Sequence, residues 1–103
     1  MNHVIPVGLA NFTAEVLKAK EPVLVDFWAS YCAPCRNLKP ILVEVASEGV
    51  KVVTVDITEE TELTAHFKIE SLPTLVVFKD GKEGVRVTGL KRKHELLELV
   101  RAA

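Results

Sequence analysis

The chain has 103 residues, of which 49% are hydrophobic and 26% charged, and a formal net charge of −1. These values describe one folded domain over residues 1–103 with a single core, and exclude a disordered chain. No apolar run approaches the roughly 18 residues of a membrane span, and no basic segment leads into an apolar one after Met1, so neither membrane contact nor export is expected and the reducing cytoplasm is the expected compartment.

An extended start near residues 3–5 gives way to a helical pattern over residues 11–20, where Phe12, Val16 and Ala19 recur at helical spacing before Glu21-Pro22 ends it. Val23-Leu24-Val25-Asp26-Phe27-Trp28 is a continuous apolar run holding one acid, the pattern of a central strand covered on both faces. Over residues 34–48, Leu38, Ile41, Leu42, Val45 and Ala46 define a helix with Gly49 as its stop and Pro40 as an expected kink.

Residues 51–57 read as the next strand, and residues 58–67 as a short helix with Glu59, Glu60 and Glu62 in its first turn, where the helix dipole favours acids. Residues 74–78 and 85–88 flank an Asp80-Gly81 turn, a strong hairpin signal. A final helix over residues 91–101 presents Leu96, Leu97, Leu99 and Val100. The order β-α-β-α-β-α-β-β-α implies an α/β fold, a central mixed sheet with helices on both faces.

Charge is uneven: seven basic residues stand against four acidic from Lys79 onward, and six against ten before it. Lys91-Arg92-Lys93 reads as a solvated helix start, with docking to another protein as the alternative. Nucleic-acid binding is excluded, because no broad basic stripe with interleaved aromatics accompanies the run.

Both cysteines lie in Tyr31-Cys32-Ala33-Pro34-Cys35-Arg36, three positions apart. A metal clamp would need further ligands from His3, His66 and His94, none of which is paired at a ligand spacing. A structural staple across so small a loop gains only about 2 kcal/mol in the chain-entropy estimate. An exchanging pair fits the spacing better, because a neighbouring thiol resolves a mixed disulfide without waiting for diffusion. A strand ending near Trp28 and a helix beginning at Pro34 put Cys32 at the N-cap, facing free N–H groups and Arg36, which lowers a thiol from its free value of about 8.5.

Val25-Asp26-Phe27-Trp28-Ala29, Cys-x-Pro-Cys, Pro40, Ser71-Leu72-Pro73-Thr74 and Phe78-Lys79-Asp80-Gly81 together resemble the thioredoxin family, in order and over nearly the whole chain. The resemblance implies the thioredoxin fold and a thiol–disulfide oxidoreductase that reduces protein disulfides. It further implies Cys32 as the attacking thiol, Cys35 as the buried resolving thiol, and a cis Leu72–Pro73 bond whose loop receives an extended substrate. Trp28, Tyr31, Ala33, Pro34, Leu72, Pro73 and Gly89 become the expected substrate-binding positions. Asp26, made basic by burial in its strand, is the expected proton acceptor for Cys35. The implied partners are a thioredoxin reductase of unspecified type and disulfide-containing proteins. No phosphate-binding glycine motif occurs, and neither cofactor nor metal is expected.

Three positions depart from the family pattern: Tyr31 where tryptophan is usual, Ala33 where glycine is commonest, and Val52 at a strand position where many members carry a lysine near the buried aspartate. If the whole backbone-entropy effect of the alanine fell on one redox state, the potential would move by roughly 10 to 20 mV, so the class of reaction survives the change. Two other functions fit the same resemblance: a disulfide oxidase or isomerase, and a non-catalytic binding module of thioredoxin fold.

Overall fold

A computed structural model describes residues 3–103. Five strands, β1 (Val4–Pro6), β2 (Val23–Trp28), β3 (Lys51–Asp56), β4 (Thr74–Lys79) and β5 (Lys82–Thr88), form one sheet in the order β1-β3-β2-β4-β5. β3 runs parallel to both β1 and β2, whereas β4 runs antiparallel to β2 and β5. The mixed α/β sheet of the thioredoxin fold is therefore present, with parallel crossovers first and a hairpin last. β2, enclosed by β3 and β4, is the strand whose sequence is apolar on both faces.

Alternation along the strands splits the core into two layers. Leu24, Val52, Leu75 and Val77 pack beneath α1 (Ala33–Ser47) and α3 (Lys93–Arg101), meeting Leu38, Leu42 and Val45 of the first and Leu96 and Val100 of the second. On the other face Val25, Phe27, Val53 and Val55 meet Leu63 of α2 (Thr61–His66) and Phe12 and Val16 of an early helical turn. Phe12 lies 5.3 Å from Phe67 and 5.7 Å from Phe78, ring centre to ring centre.

Three helices are shorter than their sequence patterns predict. Residues 11–20 yield only a π-helical turn over Thr13–Leu17, closed by Lys18 N–H donating to the Thr13 carbonyl. Before α2, the Asp56 carboxylate accepts from the Thr58 N–H and hydroxyl, and the Asp56 carbonyl accepts from Glu59 and Glu60, so the chain turns until Thr61. Only Glu62 then falls in the first turn. Glu60 instead accepts from the Leu9 N–H at 3.0 Å and pins the loop after β1. α3 starts at Lys93, after Glu95 Oε1 accepts from the Arg92 N–H, and Lys93 pairs at 3.0 Å with Glu48, the residue that caps the C-terminus of α1.

α1 continues through Pro40 to Ser47. The β4–β5 turn has Asp80 at φ 53° and Gly81 at φ 76°, the left-handed pair that a two-residue hairpin of matching twist requires. Glycine has a second reason to stand there, because a Cβ on Gly81 would approach the Leu17 carbonyl oxygen to 3.0 Å.

Candidate active site

β2 ends at Trp28 and α1 begins at Ala33, so the short link between them carries the chain from the sheet into a helix N-terminus. Cys32 is the N-cap: its backbone is extended (φ −95°, ψ 110°) and its Sγ accepts from the Cys35 N–H at 3.2 Å. The Cys32 N–H donates to the Ala29 carbonyl and the Cys32 carbonyl accepts from Arg36, which also ties down the Ser30 carbonyl through Nη1 at 2.7 Å. Pro34 occupies the first turn, where a missing N–H removes no helical bond.

Cys32 and Cys35 are bonded to each other, with Cα atoms 5.2 Å apart. Their surroundings differ. Cys35, in the first turn of α1, is fully buried, whereas Cys32 is partly exposed and flanked by the exposed residues Tyr31, Ala33 and Pro34. An incoming protein therefore reaches one sulfur and not the other. The Cys35 N–H and the positive end of the helix dipole face that accessible sulfur, an arrangement that stabilises a thiolate.

Asp26 lies on the β2 face that packs beneath α1, between Thr54 of β3 and Leu75 of β4. It is 1% exposed, and its Oδ1 has no hydrogen-bond partner among the described residues. Burial pushes its carboxyl up from 3.8 to about 7, with the positive charge of Lys39 opposing part of the rise. Near neutrality such a group both takes up and gives back a proton. In the β2–β3 register Thr54 is the direct β3 neighbour of Asp26, and Val52, beside Leu24, lies two residues back on the same face. The nearby cation comes from α1, where Lys39 Nζ sits 3.9 Å from the centre of the half-buried Trp28 ring.

The Leu72–Pro73 bond is cis. Phe27 pairs with Thr74, so Pro73 falls at the same sheet end as Trp28 and the link into α1. Gly89, at φ 89°, donates its N–H to the Pro73 carbonyl at 3.0 Å, and the Thr74 hydroxyl donates to the Ser71 carbonyl. Pro73 is buried, while Leu72 and Gly89 stay partly exposed. Thus Pro73 and Gly89 are joined by a hydrogen bond next to Leu72, Cys32 and Cys35 are joined at the start of α1, and Asp26 and Trp28 share the β2 face that packs beneath that helix. Tyr31, 69% exposed, projects from the link itself. Lys39 and Thr54 were not legible as site residues; four positions after Cys35, Lys39 shares its helix face, and that spacing is the one available signal.

Among the described residues, no group of three or more His, Cys, Asp or Glu side chains is placed to hold a metal ion. No helix among them is long and apolar enough to cross a membrane.

The family model described as Thioredoxin matches residues 3–102. A thioredoxin of Mycobacterium tuberculosis (strain H37Rv) is 43% identical over 96 residues, covering 90% of this chain and 83% of the relative. A thioredoxin of Rickettsia bellii is 42% identical over 93 residues, covering 87% and 89%. A bifunctional thioredoxin reductase/thioredoxin of Mycobacterium leprae is 42% identical over 96 residues, which span 90% of this chain but 21% of that protein. With the sheet order, the capped cysteine pair and these relatives in agreement, the chain belongs to the thioredoxin family and is a thiol–disulfide oxidoreductase that reduces protein disulfides.

Proposed function

We propose that the chain, acting as a single domain in the cytoplasm, passes two electrons from a thioredoxin reductase to disulfides of other proteins through Cys32 and Cys35. The Cys32 thiolate attacks one sulfur of the substrate disulfide; the other leaves as a thiolate and takes a proton. Cys35 then gives its proton to Asp26, its sulfur bonds to Cys32 Sγ, and the remaining substrate sulfur departs with the electron pair of the mixed disulfide. The bonded Cys32–Cys35 pair is the oxidised product of that cycle, returned to the dithiol by the reductase. The reductase partner is inferred from the family and from the relative whose name joins the two activities.

The observation that carries this reading is the contrast between an accessible N-cap sulfur and a sealed one bonded to it across a single helical turn. Trp28, Tyr31, Ala33, Pro34, Leu72, Pro73 and Gly89 line the docking surface on this reading. The free backbone groups of Leu72 then pair with an extended substrate segment as an added strand. Asp26 acts as the base because it is sealed, lacks a fixed partner at Oδ1 and titrates at about 7.

The test is resolution of a mixed disulfide formed with a disulfide peptide, followed by release of the peptide's second thiol in rapid-quench kinetics. Asp26→Asn is expected to slow that release roughly 10²-fold near pH 7 while leaving the initial attack by Cys32 nearly unchanged. An unaltered resolution rate removes Asp26 from the mechanism.

A further inference from the structure

β2 and β3 run side by side and end at the same edge of the sheet, with Trp28 opposite Asp56. Past that pair the chain parts to opposite faces: from β2 it enters α1, which covers the Leu24 layer, and from β3 it turns into α2, which covers the Val25 layer. Such a parting opens a crevice beyond the strand ends, the place where α/β sheets receive ligands. A groove of about 680 Å³ lies there, walled by Trp28, Asp56, Glu59 and Glu60 and by the loop after β1. A second cleft of about 330 Å³, bordered by Lys39 and Val43 of α1, shares Pro6, Trp28 and Thr54 with the first, so the two form one continuous trough.

The wall of the trough is fixed by backbone bonds. The Val7 N–H donates to the Thr54 carbonyl and the Gly8 N–H to Asn11 Oδ1, each at 2.8 Å. Glu60 closes over Gly8, where a Cβ would come within 2.7 Å of its carboxylate. Leu9 is 56% exposed and Val43 60%, two large apolar side chains left in water along the lips. One end is acidic and uncompensated, because no lysine or arginine among the described residues lines the larger groove. Asp56 Oδ1 is held by Thr58 and Glu60 Oε1 by the Leu9 N–H, each leaving its second oxygen for another donor, and Glu59 is exposed. Sheet order sets the trough against Cys32. Leu72, Pro73 and Gly89 stand on the β4–β5 side of the link that carries Cys32, whereas the trough lies on the β3–β1 side, with Trp28 common to the trough and the docking surface.

We propose that this trough is a second half of the docking surface: it receives a stretch of the substrate protein flanking the target cysteine, with an apolar side chain on the Trp28–Leu9 wall and a lysine or arginine at Asp56, Glu59 and Glu60. A long basic side chain suits the place, because its stem lies along apolar surface while its head reaches the carboxylates. The assignment rests on the reading of Cys32 as the attacking thiol.

In the full chain carrying Cys35→Ser, formation of the mixed disulfide is timed by intact-mass spectrometry. The probes are disulfide peptides with an apolar residue and either a lysine or a glutamate walked along both sides of the target cysteine. At low salt the lysine peptide at its best position is expected to react about fivefold faster than its glutamate counterpart, and at about 1 M salt the two rates converge. Glu59→Gln is expected to cut the preference to about twofold, and Glu59→Lys to abolish it. Glu98→Lys makes the same charge change on an exposed residue of α3 outside the trough and keeps the wild-type preference. Equal rates for the two peptides at every position, or equal losses in Glu59→Lys and Glu98→Lys, overturn the proposal. So does a dimer in sedimentation that Glu59→Lys dissolves, which would give the trough to a second copy. Absence of any adduct on Cys32 would instead remove the reading beneath it.

Discussion

Replacing Asp26 by asparagine changes folding stability in a way that depends on pH with a predictable sign. Asparagine fills nearly the same volume and cannot ionise. In the folded wild type the carboxyl sits at about 7 against 3.8 for an unburied aspartate, so the native chain holds this proton more tightly than the unfolded chain does. Stability conferred at this site therefore falls as pH rises from 3.8 through about 7 and levels off above it. Each unit of difference is worth 1.36 kcal/mol, which makes the full penalty about 4 kcal/mol. At pH 5.5 the loss is about half of that, and at pH 4 less than about 1 kcal/mol. Urea unfolding of both proteins with the cysteine pair oxidised, followed by far-ultraviolet circular dichroism, isolates the effect because every other titration is common to the two. Asp26→Asn is expected to gain on the wild type by about 4 kcal/mol between pH 4 and pH 8. A difference that stays constant across this range would refute the assignment of a sealed, ionisable carboxyl.

Cys35→Ser is expected to accumulate a mixed disulfide with a disulfide peptide in intact-mass spectra, and Cys32→Ser to form none; adduct on Cys35 in the second variant would reverse the assigned order of attack. Leu42 is fully buried between α1 and the sheet, and Leu42→Ala is expected to lose about 3 kcal/mol in urea unfolding; a loss under about 1 kcal/mol would place it outside the tight core. Gly49 ends the segment after α1 at φ 92° with open space where a Cβ would stand, so Gly49→Ala is expected to cost about 1 kcal/mol from backbone conformation alone, with Gly49→Asn costing less in the same assay.

The order of elements was legible because β2, β3 and β4 are apolar runs closed by turn residues, and because α1 repeats Leu38, Leu42 and Val45 at helical spacing. Helix boundaries were not, since they are decided by side chains that compete with the helix for backbone groups. Asp56 holds Thr58 in a turn, and the Glu60 carboxylate is drawn away to Leu9, so α2 starts three residues late. The cysteine pair, Asp26 and the cis Pro73 could be named from their motifs. The source of charge beside Asp26 could not, because it depends on strand register and helix placement at once. Thr54 is the direct β3 neighbour of Asp26 and Val52 its diagonal one, and only the packing of α1 across β2 brings Lys39 to Trp28.

The most direct test of the central claim is the equilibrium reduction potential of the Cys32–Cys35 pair against a defined thiol buffer, with zinc measured on the same sample. A protein-disulfide reductase predicts a reversible two-electron couple more reducing than the glutathione pool at about −220 to −260 mV. A value far more oxidising, on the order of −120 mV, or bound zinc without a reversible disulfide, would contradict it.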